Sequence, residues 1–217
     1  MASRPLNRIR NTAIAITLHK GDLPNGLTLK GALAVDTEAM GLNNHRDRLC
    51  LVQLCDEAGE VHLVQFERGK YNAPNLSALL TDPARVKMFH FARFDVAILK
   101  QYLGVRTAPI YCTKIASRLV RTYTDRHGFK DICRELLSVD ISKYQQSSDW
   151  GAENLTPEQQ EYAANDVIHL HALRAKLDVL LAREGRTQLA ASCFDFLPAR
   201  AELDLAGWAE IDIFAHS

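Results

Sequence analysis

Residues 49–55 (LCLVQLC) and 61–66 (VHLVQF) are apolar runs separated only by Asp56-Glu57-Ala58-Gly59-Glu60, a polar, glycine-containing stretch that fits a hairpin loop. An antiparallel strand pair follows. Apolar runs at 13–18, 32–36 and 87–91 read as further strands, and Pro24-Asn25-Gly26 breaks the chain between the first two of these. Helices are predicted over 75–80, 94–102, 113–120 and 130–137. The most clearly marked helix starts at Thr156, because Pro157 and Gln159 complete a capping box with proline at the first helical position. Ala163, Val167, Leu170, Leu173, Leu177 and Leu180 then recur every three or four residues, a stripe that would pack on a sheet.

With 217 residues and 47% hydrophobic content, the chain can bury a sizeable core. The expectation is one α/β domain over 13–217, preceded by a loose cytoplasmic extension, 1–12, that leads into no signal-peptide core. Lys plus Arg and Asp plus Glu both total 26, so no global positive field would gather long nucleic acid. Charge is uneven, however. Residues 112–134 carry Lys114, Arg118, Arg121, Arg126, Lys130 and Arg134 against Asp125 and Asp131. That stretch is a candidate phosphate-facing surface, with a solvated helix face as the alternative.

The five cysteines include no C-x-x-C pair, which fits free thiols in a reducing cytoplasm. His169 and His171, two apart on a predicted helix, point in different directions and do not suit a zinc pair. No apolar run approaches the roughly 20 residues that span a bilayer.

Asp36 and Glu38 follow the buried-strand run Ala32-Leu33-Ala34-Val35, and residues two apart on a strand share a face. Tyr162 and Asp166 are four apart on the predicted helix and lie one turn from each other on one side. Asp95 ends the segment His90-Phe91-Ala92-Arg93-Phe94-Asp95. Four carboxylates drawn into one cleft repel one another and resist desolvation. Two divalent cations would remove that objection. All-oxygen ligands point to Mg²⁺ or Mn²⁺ rather than zinc, and ions about 3.5–4 Å apart can activate a water and stabilise a leaving oxygen at phosphorus. Tyr162 would orient that water or help remove its proton.

The order D-x-E, H-x-x-x-x-D, Y-x-x-x-D resembles the DEDDy branch of the DEDD 3′→5′ exonucleases, with the ribonuclease D catalytic domain as the nearest broad group. The linking segments 111–119 and 143–150 are similar to that family, and the resemblance covers nearly the whole chain. Residues 45–50, 121–128 and 207–217 resemble the small bacterial oligoribonucleases among its members. Two features depart from ribonuclease D itself. Trp150 leads into Gly151-Ala152-Glu153-Asn154-Leu155 rather than Arg-Pro-Leu, and too little sequence follows Asp166 for the helical nucleic-acid-binding domains, so transfer RNA processing is not expected.

The resemblance implies a ribonuclease H-like α/β fold, a mixed β-sheet flanked by helices. It implies that Asp36, Glu38 and Asp166 share a first metal, that Asp36 bridges to a second, that Asp95 supports the site directly or through water, and that Tyr162 positions the nucleophile. Leu42 matches a wedge between two terminal bases, with core packing as its alternative. His90 is a candidate substrate contact or a strand-end histidine satisfied by backbone. Arg93, Arg121, Arg126 and His127 are candidates for a 5′ phosphate, arginine being suited to bidentate contacts. The implied activity is release of nucleoside 5′-monophosphates from short RNA oligomers, especially dinucleotides, by a cytoplasmic homo-oligomeric ring, an octamer. The alternatives are a ribonuclease D-like enzyme on longer RNA or DNA 3′ ends, and a non-catalytic nucleic-acid-binding module.

Overall fold

In the computed structural model, which describes residues 15–141 and 148–216, the predicted hairpin is formed by β3 (Leu49–Cys55) and β4 (Val61–Gln65). Its loop closes on Asp56, whose carboxylate accepts from the backbone N–H groups of Ala58 (2.9 Å) and Glu60 (3.1 Å), and also of Lys30 (2.9 Å). Four further strands complete a six-stranded sheet: β1 (Ile16–Lys20), β2 (Leu33–Ala39), β5 (Lys87–Phe89) and β6 (Ile110–Cys112). Their order is β1-β4-β3-β2-β5-β6. β3 runs antiparallel to β2 and β4, while the β1–β4, β2–β5 and β5–β6 pairs are parallel. The sheet is mixed.

Every residue of β3 and β4 is buried, as expected of strands covered on both faces. The covering helices are α1 (Pro74–Thr81), α2 (Ala92–Leu103), α3 (Thr113–Val120), α4 (Phe129–Leu137), α5 (Pro157–Ile168), α6 (Leu170–Arg183) and α7 (Thr187–Leu203). α5 lies across β1 to β4, while α2 packs beside β3, β5 and β6 and against α7. Among the described residues, the buried apolar side chains make one continuous cluster. Among the described residues, no helix is long and apolar enough to cross a membrane.

Several boundaries differ from the sequence reading for local reasons. The strand predicted over 32–36 continues to Ala39, because Thr37 and Glu38 keep pairing with Val52 and Leu51 of β3. The strand predicted over 87–91 ends at Phe89, because Phe91 adopts φ 69° and ψ 44° and turns the chain into α2. The strand predicted over 13–18 is shifted to Ile16–Lys20, and Ala13 lies outside the described residues, as does the proposed extension 1–12. β6 and α7 were not predicted. The stripe that begins at Thr156 is interrupted at His169: α5 follows the sheet, whereas α6 packs against α3, and Leu181 rather than Leu180 takes the buried position.

Candidate active site

Asp36 and Glu38 project from β2 toward α5, which carries Tyr162 and Asp166 one turn apart. Among the described residues, one group of acidic, histidine or cysteine side chains is arranged to hold a metal: oxygens of Asp36, Glu38 and Asp166 lie within 4.8 Å of one another. Asp95 joins them from α2. It is 3% exposed, and its carboxylate accepts a hydrogen bond from the Thr37 hydroxyl at 2.6 Å. Thr37 alternates with Asp36 and Glu38 along β2, so one strand serves helices on both faces of the sheet.

The electrostatics follow from that crowding. Burial, then Asp95, Asp166 and Glu38, holds Asp36 well above the ordinary carboxylate range. Glu38 is raised by burial, Asp166 and Asp95. Burial pushes Asp95 and Asp166 up to about 7, against the opposing pulls of Thr37 and of the Tyr162 hydroxyl respectively. Tyr162 is itself raised, by burial and by the neighbouring carboxylates. A set of closely spaced carboxylate oxygens with no nitrogen or sulfur donor fits hard divalent cations, whose charge would offset this repulsion.

The position of α5 is fixed at its start. The Thr156 hydroxyl accepts from Gln159 N–H at 3.2 Å, and the Gln159 side chain accepts from Thr156 N–H at 2.9 Å, the predicted capping box. The same Gln159 side chain donates to the Asp149 carbonyl, and the buried Trp150 ring stands 6.0 Å from that of Tyr162. A cavity of about 330 Å³ opens over Asp36, Glu38, Tyr162 and Asp166. A second, of about 550 Å³, reaches from the acids past Asp95 to Leu42 and Trp150.

The predicted substrate residues are distributed unevenly around these cavities. Leu42 lines the larger one and is 87% exposed, which removes the core-packing alternative. His90 lines both, with Nδ1 2.9 Å from the Thr113 hydroxyl, which in turn donates to the Phe89 carbonyl. Burial and the charge of Lys114 push the His90 pKa down to about 3, leaving a neutral imidazole. Arg93 grips both Asp204 oxygens, at 2.6 and 2.7 Å, and the Ala209 carbonyl at 2.7 Å. It lines an adjoining cavity with Leu42.

Arg121 departs from the phosphate-binding role expected of it. Its side chain is 1% exposed and binds Glu135 through Nε and Nη2, with Nη1 donating to Ser117 and to the Arg126 carbonyl. The guanidinium is used inside the fold. Arg126 is exposed and, like Arg121, does not line the acid cavity. His127 is half-buried, with Nδ1 2.9 Å from Ser117.

The cavity walls also include side chains that sequence reasoning did not assign. Phe91, 46% exposed, lines both acid-facing cavities from its left-handed backbone position, and the Lys114 ammonium lies 4.1 Å from its ring centroid. Phe129 and Lys130 enter from the start of α4. Lys114 and Lys130 belong to the basic stretch noted above, but nothing in their spacing separates them from its other members.

Residues 21–182 match the family model described as 3′-5′ exonuclease. The ribonuclease D of Gluconacetobacter diazotrophicus is 36% identical over 160 residues, 74% of this chain and 40% of that protein. The chain thus spans about two fifths of the length of the ribonuclease D relatives it matches. Brucella melitensis NrnC bound to pGG superposes with a TM-score of 0.91 at 56% identity, over 94% of this chain and 100% of that one. The same protein with bound Mg²⁺ gives 0.90 at 55% identity, with the same coverage of both chains. The mixed, helix-flanked sheet is the ribonuclease H-like arrangement that these nucleases share, and the chain belongs to the 3′-5′ exonuclease family, within it to the NrnC (nano-RNase C) group of ribonuclease D-like proteins.

Proposed function

We propose that the chain is a metal-dependent 3′→5′ exoribonuclease that releases nucleoside 5′-monophosphates from short RNA oligomers, dinucleotides above all. The observation that carries this reading is the convergence of Asp36, Glu38 and Asp166 within 4.8 Å at the floor of a cavity that also presents Tyr162 and His90. Asp36, Glu38 and Asp166 would hold the cations, with Asp95 behind them. Two Mg²⁺ or Mn²⁺ ions would supply the activated water and the charge that stabilises the leaving oxygen. Tyr162 holds its hydroxyl beside Asp166, where it orients the attacking water. Neutral His90, fixed by Thr113, is placed to donate to or accept from the substrate without adding charge. Exposed Leu42 offers an apolar edge between bases, and the pGG and Mg²⁺ held by the NrnC structures support the substrate and metal classes.

The same reading keeps one catalytic domain over 13–217, a cytoplasmic location and a homo-octameric ring. Phe196, Trp208, Ile211, Ile213 and Phe214 are exposed, with the Phe196 and Phe214 rings 5.9 Å apart, an apolar surface that a second copy would cover. Light scattering reads the assembly directly.

Activity is tested by following 5′-labelled RNAs, from dinucleotides to long oligomers, with wild type and Asp36→Asn in parallel. The expected result is Mg²⁺- or Mn²⁺-dependent monophosphate release, fastest from the dinucleotide, and background activity in a folded Asp36→Asn. Equal or faster turnover of long RNA or DNA ends would favour the ribonuclease D-like alternative; no metal-dependent product would favour a binding module.

A further inference from the structure

Gln53 lies at the centre of β3 with 0% exposure, and among the described residues neither its amide nitrogen nor its amide oxygen has a hydrogen-bond partner. The β2–β3 register sets its Cα opposite that of Asp36. Directly opposed residues of an antiparallel pair project to the same face, with Cβ atoms roughly 4.5–5.5 Å apart. The amide therefore rises beside the Asp36 side chain, on the face of the sheet crossed by α5. Its neighbours along that face are apolar: Leu51 opposite Glu38, and Leu63 on β4 opposite Gln53 itself.

A buried amide without a partner destabilises a fold, and a leucine would fill the same space without that cost. The terminal torsion of glutamine is soft, so the amide can turn without moving the backbone. A neutral N–H donor also suits this neighbourhood, because it can hold a carboxylate in place without neutralising the charge that attracts cations. A lysine would neutralise it.

We propose that Gln53 is a positioning residue for Asp36, its amide nitrogen donating to the Asp36 carboxylate when that carboxylate binds metal. The inference rests on the metal-dependent reading above.

The test compares wild type, Gln53→Leu and Gln53→Met, the second being flexible enough to fill the site if leucine packs poorly. Mn²⁺ and Mg²⁺ binding are followed by thermal shift, and the metal concentration for half-maximal dinucleotide hydrolysis is measured alongside. The expected result is an unchanged or higher Tm for the metal-free variants, a half-saturating metal concentration raised by about 10–100-fold, and an unchanged dinucleotide KM at saturating metal. Folded variants whose metal midpoint equals that of wild type, whatever their Tm, would overturn the proposal. A wild type that gives neither a metal-induced shift nor a metal-dependent product would defeat the functional reading and this one together; active wild type beside unaltered variants would defeat this one alone.

Discussion

The Thr37 hydroxyl donates a 2.6 Å hydrogen bond to the Asp95 carboxylate and so ties the strand that carries Asp36 and Glu38 to α2 on the opposite face of the sheet. Both residues are buried, so losing the donor leaves the carboxylate poorly compensated. Thr37→Val keeps the shape and removes the donor. We expect a loss of about 1–3 kcal/mol in stability by urea unfolding and a weaker Mg²⁺ midpoint, with the dinucleotide KM unchanged at saturating metal.

The raised carboxylates give the metal-free protein an unusual pH profile. Asp95 and Asp166 titrate near 7 in the fold against 3.8 for the free side chain, so between these values the folded state binds more protons than the unfolded one. Stability contributed by these groups is present below the unfolded value and is lost as pH rises through the folded one. The Tm in EDTA should fall across that window, and Asp36 and Glu38, raised in the same direction, add to the fall. Saturating Mg²⁺ should flatten the slope, because cation binding favours the ionised form; equal slopes with and without metal would contradict the assignment of these acids as ligands.

Arg121 and Arg126 test whether a basic residue in this region serves the fold or the substrate. Arg121→Gln removes the contacts to Glu135, Ser117 and the Arg126 carbonyl and should cost about 2–3 kcal/mol by urea unfolding. Its dinucleotide KM should match wild type. Arg126→Ala, at an exposed position, should change stability by less than about 0.5 kcal/mol.

Leu42→Ala separates binding from folding at the other end of the cleft. Its side chain is 87% exposed, so truncation should leave unfolding free energy within about 0.5 kcal/mol of wild type. If the side chain is covered by substrate, about 1.5 kcal/mol of burial is lost and the dinucleotide KM rises roughly tenfold. A KM equal to that of wild type would remove Leu42 from the substrate site.

Local periodicity made much of this site legible in the sequence. Asp36 and Glu38 share a face because a strand repeats every two residues, and Tyr162 and Asp166 share one because a helix returns after about four. The capping box at Thr156 and Gln159 was equally local. What escaped depends on contacts between distant segments or on rare backbone states. Arg121 looked like its exposed neighbours until Glu135, on α4, enclosed it. Phe91 became a cavity wall by adopting a left-handed φ that composition does not forecast. β6 has three residues, too short to carry a pattern, and the interruption at His169 is hidden beneath an unbroken apolar stripe.

That interruption divides the chain into stretches with different tolerance for inserted residues. One residue added between the Thr156 cap and Asp166 would rotate the acid by about 100° around the axis of α5, carrying it away from Asp36 and Glu38 even if every other contact survived. The same insertion beyond His169 leaves the angle between cap and acid untouched. Length variation among functional homologues should therefore be absent from residues 157–166 and permitted after 169.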